Sequence, residues 1–296
     1  MPRTGVVETA RLSPAGEQSV PHSGPRATPS NALIAPFSSL VTHRDAIGIF
    51  VSRDIRGRYV NSVLGLWWAV IQPLALLALY TFVFSIVMRG RLGDGSSTGE
   101  FALYLFCGLL PWLALSDALT RSSSVLIEQS PLIKKVVFPS EILPVHLVLS
   151  AIVVEIVGLA VFLGIVVMWG RLPGLALLAL PVLLVLQFLF TTGAAWLLAT
   201  LAVYLRDVRQ VVGLVLTLWM FLTPIVYPPS MVPERYQWLL AINPMTTIVG
   251  AYRGAMLENR WPEAGPLAVF AVIAIVLFVS GYWLFTRSKR TFADLL

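Results

Sequence analysis

Two lysines, Lys134 and Lys135, lie side by side in the stretch LIKKVVFPSEILP, between two long apolar runs. Cations beside apolar side chains either contact anionic lipid headgroups, at about 1 kcal/mol per charge, or rim a docking surface for a soluble partner. Both interpretations remain open from this stretch alone. The candidate docking residues are Leu132, Ile133, Lys134, Lys135 and Val136.

Two carboxylic acids interrupt apolar runs. Glu155 lies in the middle of SAIVVEIVGLA, where an isolated charge costs at least about 2.5–3.5 kcal/mol. It is either a structural residue, protonated or hydrogen-bonded to a neighbouring helix, or part of a polar conduit for ion-coupled transport. Asp117 lies near the end of the preceding run, where snorkelling or a backbone partner is sufficient.

Other reactive residue types are sparse. Cys107 is the single cysteine, and His22, His43 and His146 are scattered, so the spacing predicts neither an intrachain disulfide nor a metal site. The dipeptide Gly-Lys, which closes a phosphate-binding P-loop, occurs nowhere. We therefore predict no bound cofactor and no enzyme activity. The acids are also too dispersed for a membrane-embedded enzyme.

The elements that position these residues are membrane helices. Mean hydropathy is +0.81 and only 12% of residues are charged, about half the usual fraction in soluble proteins. A helical span needs roughly 20 apolar residues, and continuous rather than alternating apolar runs exclude a barrel. The sequence predicts an all-α polytopic protein with six spans, at about 64–88, 101–120, 142–168, 173–203, 211–228 and 265–285.

The flanking segments predict the orientation. Residues 1–36 contain six prolines and no apolar core for a signal peptide, which predicts a disordered tail. With six spans both termini share one side, and that side collects fifteen of the 21 lysines and arginines. By the positive-inside rule both termini are predicted to be cytoplasmic, including a short tail at 289–296.

A cytoplasmic amphipathic helix is predicted over 37–63, ahead of the first span. Its apolar stripe recurs every four residues, at Ile47, Val51, Ile55 and Tyr59. Arg53 and Arg56 lie off the stripe, whereas Asp54 and Arg58 project near it. Such a helix lies in the membrane interface with its arginines at the headgroups.

Prolines break the apolar stretch that follows the fifth span. They leave pieces at about 233–241 and 245–257 that are too short to cross a bilayer. We expect broken half-helices that dip into the outer leaflet, either as a lid over a conduit or as an ordinary interfacial loop. The candidate residues of an outward gate are Pro233, Trp238, Asn243 and Pro244.

Aromatic residues within the runs allow two interpretations. Buried rings usually pack against neighbouring helices, but they can also stack on the apolar face of a sugar. The candidate glycan-contacting residues are Tyr80, Tyr104, Trp112 and Trp219.

Four motifs occur in the order seen in one protein family. They are RDIRGRYVNSVLGLWW at 53–68, YLRDV at 204–208, FLTPIVYP at 221–228 and INPMTTIVGAYR at 242–253. From about residue 40 onward the chain resembles the membrane subunit of ABC-2 exporters of O-antigen, capsule and wall teichoic acid.

The resemblance implies a bacterial inner-membrane homodimer with two cytoplasmic ATPase subunits, which bind ATP and magnesium. It also implies a coupling helix within about 122–139 that docks into the ATPase. The substrate would be a polysaccharide on a polyprenyl diphosphate lipid, which moves through a channel at the dimer centre. Arg53, Arg56 and Arg58 lie where its diphosphate would arrive, although plain headgroup contact explains them equally well. Export of a drug or a small lipid is the alternative. No nucleic acid is expected as a partner.

Overall fold

A computed structural model describes residues 35–59, 64–83, 98–135, 138–205 and 207–296. This part of the chain is helical and contains no strand. In chain order the α-helices are α1 Ala35–Thr42, α2 Arg44–Tyr59, α3 Trp68–Tyr80, α4 Thr98–Ser122, α5 Val125–Glu128, α6 Ser130–Lys135, α7 Ile142–Met168, α8 Leu180–Tyr204, α9 Val208–Leu222, α10 Gln237–Ile242, α11 Pro244–Met256 and α12 Ala264–Leu295. Short 3₁₀ turns at Gly65–Trp67, Leu175–Ala179, Pro229–Met231 and Glu234–Tyr236 connect some of them.

Four of the predicted spans are confirmed as helices long and apolar enough to cross a membrane. They are Gly99–Ser122, Ile142–Met168, Leu175–Tyr204 and Ala264–Phe292. The other two predicted spans are shorter apolar helices, Val70–Val83 and Val208–Leu222. The total of six spans therefore stays a prediction, as does the cytoplasmic orientation of the termini.

The fifth predicted span, 211–228, ends six residues early. α9 stops at Leu222, and Thr223 takes an extended conformation with ψ of 134°. The cause is Pro224, because a proline ring disfavours the α conformation in the residue before it. Residues 223–226 instead form a buried turn.

α8 and α12 form the most extensive contact between two helices, and their backbones meet at Gly193 and Gly281. A Cβ atom on Gly193 would lie 2.5 Å from the backbone of Leu277, and one on Gly281 would collide with the carbonyl of Gly193. Small residues allow this close approach between membrane helices. α4 and α7 complete the core, with Phe106 and Phe162 in ring contact at 5.7 Å.

The two ends of the bundle differ in their additional helices. We call the end that carries α2, α5 and α6 the inner end, and the end that carries α10 and α11 the outer end. The predicted interface helix is two helices, α1 and α2, and it begins at Ala35 rather than at 37. Pro36 fits there because a proline is tolerated in the first helical turn. Residues 1–34, most of the predicted tail, lie outside the described residues, as do residues 60–63.

α12 extends further than its predicted span. The segment 289–296, expected as a tail, continues the helix to Leu295. Lys289 donates a hydrogen bond of 2.6 Å to Glu141 ahead of α7, and the hydroxyls of Tyr204 and Thr291 lie 3.2 Å apart. These contacts fix the C-terminal turns of α12 to the inner end of the bundle.

Candidate transport site

Two arginines and two aspartates join α2 to α4 through their side chains. Arg58 donates to Asp117 at 2.6 Å and to Asp54 at 3.3 Å. Arg121 donates to Asp54 through both terminal nitrogens, one of them at 3.0 Å, and its Nη1 lies 3.6 Å from Asp117. Each aspartate therefore faces both arginines. We call Asp54, Arg58, Asp117 and Arg121 the inner charge cluster.

Partial burial strengthens this cluster. The side chain of Asp54 is 14% exposed and that of Asp117 is 36% exposed. Burial alone would raise the pKa of Asp54, but the hydrogen bond and charge of Arg121, together with the charge of Arg58, bring that pKa below its ordinary value. Burial likewise opposes the charge of Arg58, while Asp117 and Asp54 raise its pKa. Asp54 and Arg58 are thus both charged at neutral pH.

A cavity of about 510 Å³ opens beside the inner charge cluster. Besides the cluster itself, it is lined by Phe50, Arg53, Gly57, Gln129 and His146. The three arginines predicted at the site of diphosphate arrival therefore differ. Arg53 lines the cavity, Arg58 lines it but is paired with two aspartates, and Arg56 is exposed and not among the lining residues.

A second cavity, of about 290 Å³, also borders the Arg58–Asp117 ion pair. Both residues of the pair line both cavities. The other lining residues are mostly apolar and come from α3, α4 and α7, and they include Gln72, Leu76 and Glu155. The ion pair therefore contributes to both a polar cavity at the inner end and a largely apolar one lined by α3, α4 and α7.

Glu155 belongs to a buried hydrogen-bond network. Its Oε2 accepts from Gln187 Nε2 at 2.8 Å, and the same nitrogen lies 3.2 Å from the carbonyl oxygen of Pro111. Tyr252 donates to Gln187 Oε1 at 3.0 Å. Among the described residues Glu155 Oε1 has no hydrogen-bond partner. Glu155 thus links α7 to α8, and Gln187 extends the network to α4 and α11.

The predicted aromatic residues mostly pack inside the chain. Trp112 is 2% exposed, and its ring meets that of Trp219 edge-on at 5.6 Å. Tyr104 is half-buried under the guanidinium of Arg253, 3.4 Å from its ring centroid. The side chain of Tyr80 lies outside the described residues. Contact of these rings with a glycan stays a prediction.

Two short helices, α5 and α6, occupy the predicted coupling segment. Leu132 and Ile133 are half-buried and pack against the core of the same chain, and their contact with the ATPase stays a prediction. Ile127, at 46% exposure, and Lys134 face outward. Val136 and the side chain of Lys135 lie outside the described residues.

The predicted outward-gate residues also fall into different environments. Asn243 is buried and precedes Pro244, the first residue of α11, and its side chain caps that helix by accepting from the backbone of Met245 at 3.0 Å. Trp238 on α10 is 57% exposed. Pro233 precedes a 3₁₀ turn. Helices therefore form on both sides of Asn243, while their position in a membrane stays a prediction.

Sequence reasoning missed the structural role of several residues. Arg121 entered it only as a charge for the orientation rule, Arg253 only as such a charge and as the last residue of a family motif, and Gln187 was not singled out. Asp54 and Arg58 are four residues apart on one helix, a spacing that allows an ion pair. Among the described residues no group of three His, Cys, Asp or Glu side chains is close enough to hold a metal ion.

Comparisons with a family profile and with individual proteins indicate the same family. The sequence profile of the ABC-2 type transporter family matches residues 45–257. The chain is 30% identical to the O-antigen export system permease protein RfbA of Myxococcus xanthus, over 88% of this chain and 99% of that protein. It is 27% identical to the protein of the same name from Klebsiella pneumoniae, over 85% and 95%. It is 24% identical to the polysialic acid transport protein KpsM of Escherichia coli, over 80% and 91%. The matched region includes the inner charge cluster and runs through α11, and the chain therefore belongs to the ABC-2 type transporter family as a permease subunit.

Proposed function

We propose that this chain is the permease subunit of an ATP-driven exporter that moves a polyprenyl-diphosphate-linked cell-surface polysaccharide across the bacterial cytoplasmic membrane. The observation that carries the proposal is the nearly full-length similarity to O-antigen export permeases, 88% of this chain and 99% of the relative. A transporter of this family works with ATPase subunits, and we propose two cytoplasmic copies that bind ATP and magnesium. A homodimer of this chain forms the channel at its centre.

The inner cavity suits a lipid diphosphate. Guanidinium groups match phosphate geometry and bind it in a bidentate manner. Arg53 lines the cavity and forms no ion pair with the described residues, so it is the first cation available to an arriving diphosphate. The neighbouring apolar cavity lies next to the same Arg58–Asp117 pair and offers space for the first isoprene units.

The exposed face of α9 supports a second copy of the chain. Val212 and Leu216 are buried in the bundle, whereas the opposite face leaves large apolar side chains exposed: Val211, Leu214, Val215, Leu218 and Leu222. A homodimer that packs through α9 would cover this face. Trp219 lies beside it, which would bring the predicted glycan-contacting aromatics near the dimer centre.

Docking of the ATPase is assigned to the α5–α6 segment. Ile127 and Lys134 face away from the bundle at the inner end, and an exposed apolar side chain next to a charge is typical of a protein contact. We propose Ile127, which is more exposed than Leu132 and Ile133, as the apolar residue that contacts the ATPase.

The test compares two arginines on the same helix. Arg53→Ala removes the available cation from the cavity, and Arg56→Ala removes an exposed cation outside it. In cells that lack their own exporter and carry this chain with its ATPase, we expect Arg53→Ala to lower surface polysaccharide about tenfold, while Arg56→Ala leaves it unchanged. Membrane abundance and ATPase co-purification of both variants serve as controls. If the two substitutions have equal effects, both arginines contact only lipid headgroups and Arg53 does not bind the diphosphate.

Export of a drug or small lipid is distinguished in the same cells. If surface polysaccharide is absent even with the unmodified chain and its ATPase, the polysaccharide substrate is wrong while the transporter family still holds. Ion-coupled transport through Glu155 has less support, because that residue is hydrogen-bonded within the bundle.

A further inference from the structure

The outer end of α9 is held by two residues of α11. After Leu222 the chain leaves the helix, and residues 223–226 form a turn that is entirely buried. Non-helical backbone in the interior of a membrane protein must find hydrogen-bond donors within the protein. α11 supplies donors from both of its ends, through Asn243 and Arg253.

The side chain of Asn243 forms hydrogen bonds with three residues at the end of α9, Trp219, Leu222 and Thr223. Its amide nitrogen donates to the hydroxyl of Thr223 at 2.9 Å and to the carbonyl oxygen of Leu222 at 3.3 Å. Its amide oxygen accepts from the indole nitrogen of Trp219 at 2.8 Å. A single side chain therefore caps α11 and binds the last turn of α9.

Arg253 completes the attachment ten residues later. It donates to the carbonyl oxygens of Pro224 at 2.6 Å and Ile225 at 2.7 Å. Its Nε donates to the carbonyl oxygen of Tyr104 in α4 at 3.1 Å. The residue is 4% exposed, and no carboxylate forms an ion pair with it among the described residues. A charge this deeply buried is stabilised by the carbonyl dipoles and the ring of Tyr104, so its geometry is restricted.

We propose that Asn243 and Arg253 are positioning residues that keep α11 attached to the end of α9 throughout the transport cycle. We call Asn243, Arg253 and the turn 223–226 the outer clasp. α10 lies outside it, with Leu240 as its only buried residue and a cavity of about 720 Å³ between it, α11 and α12. An opening of the outer side that leaves the outer clasp intact can move α10 alone, or α11 together with the end of α9, but cannot separate α11 from α9.

A reversible disulfide tests the attachment. Cys107, the single cysteine, is first replaced by alanine, and Thr223→Cys with Asn243→Cys then puts two thiols where hydroxyl and amide lie 2.9 Å apart. In the reduced state the hydrogen bonds of Asn243 are lost, and we expect export per ATP hydrolysed to fall about tenfold. Oxidation should restore it, because the disulfide replaces the lost attachment. The Cys107→Ala chain, assayed under both conditions, is the control.

Each other outcome overturns the proposal. Full export in the reduced state means that Asn243 does not position α11. Export that stays low on oxidation means that attachment to α9 is not what Asn243 contributes, and export that stops on oxidation means that α9 and α11 must separate during transport. The inference uses only the permease activity of the chain and not the identity of its substrate. Export by the control chain therefore separates its failure from a failure of the proposed function.

Two milder variants keep the test decisive if the double variant does not fold. Asn243→Asp retains the acceptor for Trp219 and the helix cap but loses the amide donor. Arg253→Lys keeps the charge but cannot reach the three carbonyl oxygens together. For both we expect normal complex abundance and ATP hydrolysis with about tenfold lower export. Arg260→Lys, an exposed arginine paired with Glu258 at 2.9 Å, should export normally. If complex abundance, ATP hydrolysis and export fall in proportion, the outer clasp only stabilises the folded protein and does not position α11 for transport.

Discussion

Of the two aspartates in the inner charge cluster, Asp54 is expected to contribute more to the free energy of unfolding. Removal of one partner from a fully buried ion pair costs about 3–5 kcal/mol, whereas a fully exposed pair contributes about 0–1 kcal/mol. Asp54 is 14% exposed and Arg121 is 29% exposed, so this pair lies between the two limits. We expect Asp54→Asn to lower the free energy of unfolding by roughly 2 kcal/mol.

Asp117→Asn should cost less, because that side chain is 36% exposed and water screens its charge. About 1 kcal/mol is expected after this discount. Asp45 on the same helix is the matched control, since it is 92% exposed and 3.7 Å from Arg44. Asp45→Asn should cause no measurable change.

The measurement is a titration with sodium dodecyl sulphate of the protein in mild detergent, followed by fluorescence of its nine tryptophans. A double-mutant cycle of Asp54→Asn with Arg121→Gln isolates the pair, and neighbours in one charge network typically give interaction energies of about 0.5–3 kcal/mol. If Asp54→Asn is no more destabilising than Asp45→Asn, the cluster does not hold α2 on α4. An interaction energy near zero would contradict the geometry in the same way.

Three further predictions use the same contacts. Because the folded pKa of Asp54 is lowered, its stabilisation is complete above the ordinary carboxyl pKa and is lost as pH falls through the folded value. The stability difference between wild type and Asp54→Asn should thus be constant from about pH 6 to 8 and shrink below about pH 4, as measured by the same titration. A photoreactive residue at Ile127 should capture the ATPase subunit and one at Leu132 should not, as identified by mass spectrometry, and the reverse pattern would contradict the exposed face assigned to α5. Glu155→Gln should retain export within about twofold, whereas Gln187→Leu leaves buried polar groups unpaired and should cost about 1–3 kcal/mol; abolished export with Glu155→Gln would instead favour an ion pathway.

Composition was sufficient for the class of fold but not for every helix end. Long apolar runs identified the four confirmed spans because length and hydropathy are local properties. The apolar run that predicted a span over 211–228 continues past Leu222, and only the backbone restriction of Pro224 ends the helix there. α12 continues past its apolar run because Lys289 pairs with Glu141, 148 residues away.

The candidate site was predictable where its partners are near in sequence. Asp54 and Arg58 are one helical turn apart, a spacing that allows an ion pair. Arg121 is 67 residues from Asp54, and Arg253 is 149 residues from Tyr104. Such pairs depend on how helices cross, which spacing in a single sequence does not specify. The sequence alone therefore indicated no partner for either arginine.

The inner charge cluster and the outer clasp both contact the helix α4. Near the outer end of α4, the backbone carbonyl oxygen of Tyr104 accepts a hydrogen bond from Arg253. Near the inner end of the same helix, about 25 Å further along at 1.5 Å per residue, Arg121 binds Asp54. Pro111 lies between them inside α4 and removes one backbone hydrogen bond there, which makes this the point where the helix bends most easily. Gln187 donates to the carbonyl oxygen of Pro111 and binds Glu155 as well. α4 can therefore connect the inner charge cluster to the outer clasp in two ways, as a tilt of the whole helix or as a bend at Pro111, and the hydrogen bond from Gln187 lies where it restrains the bend.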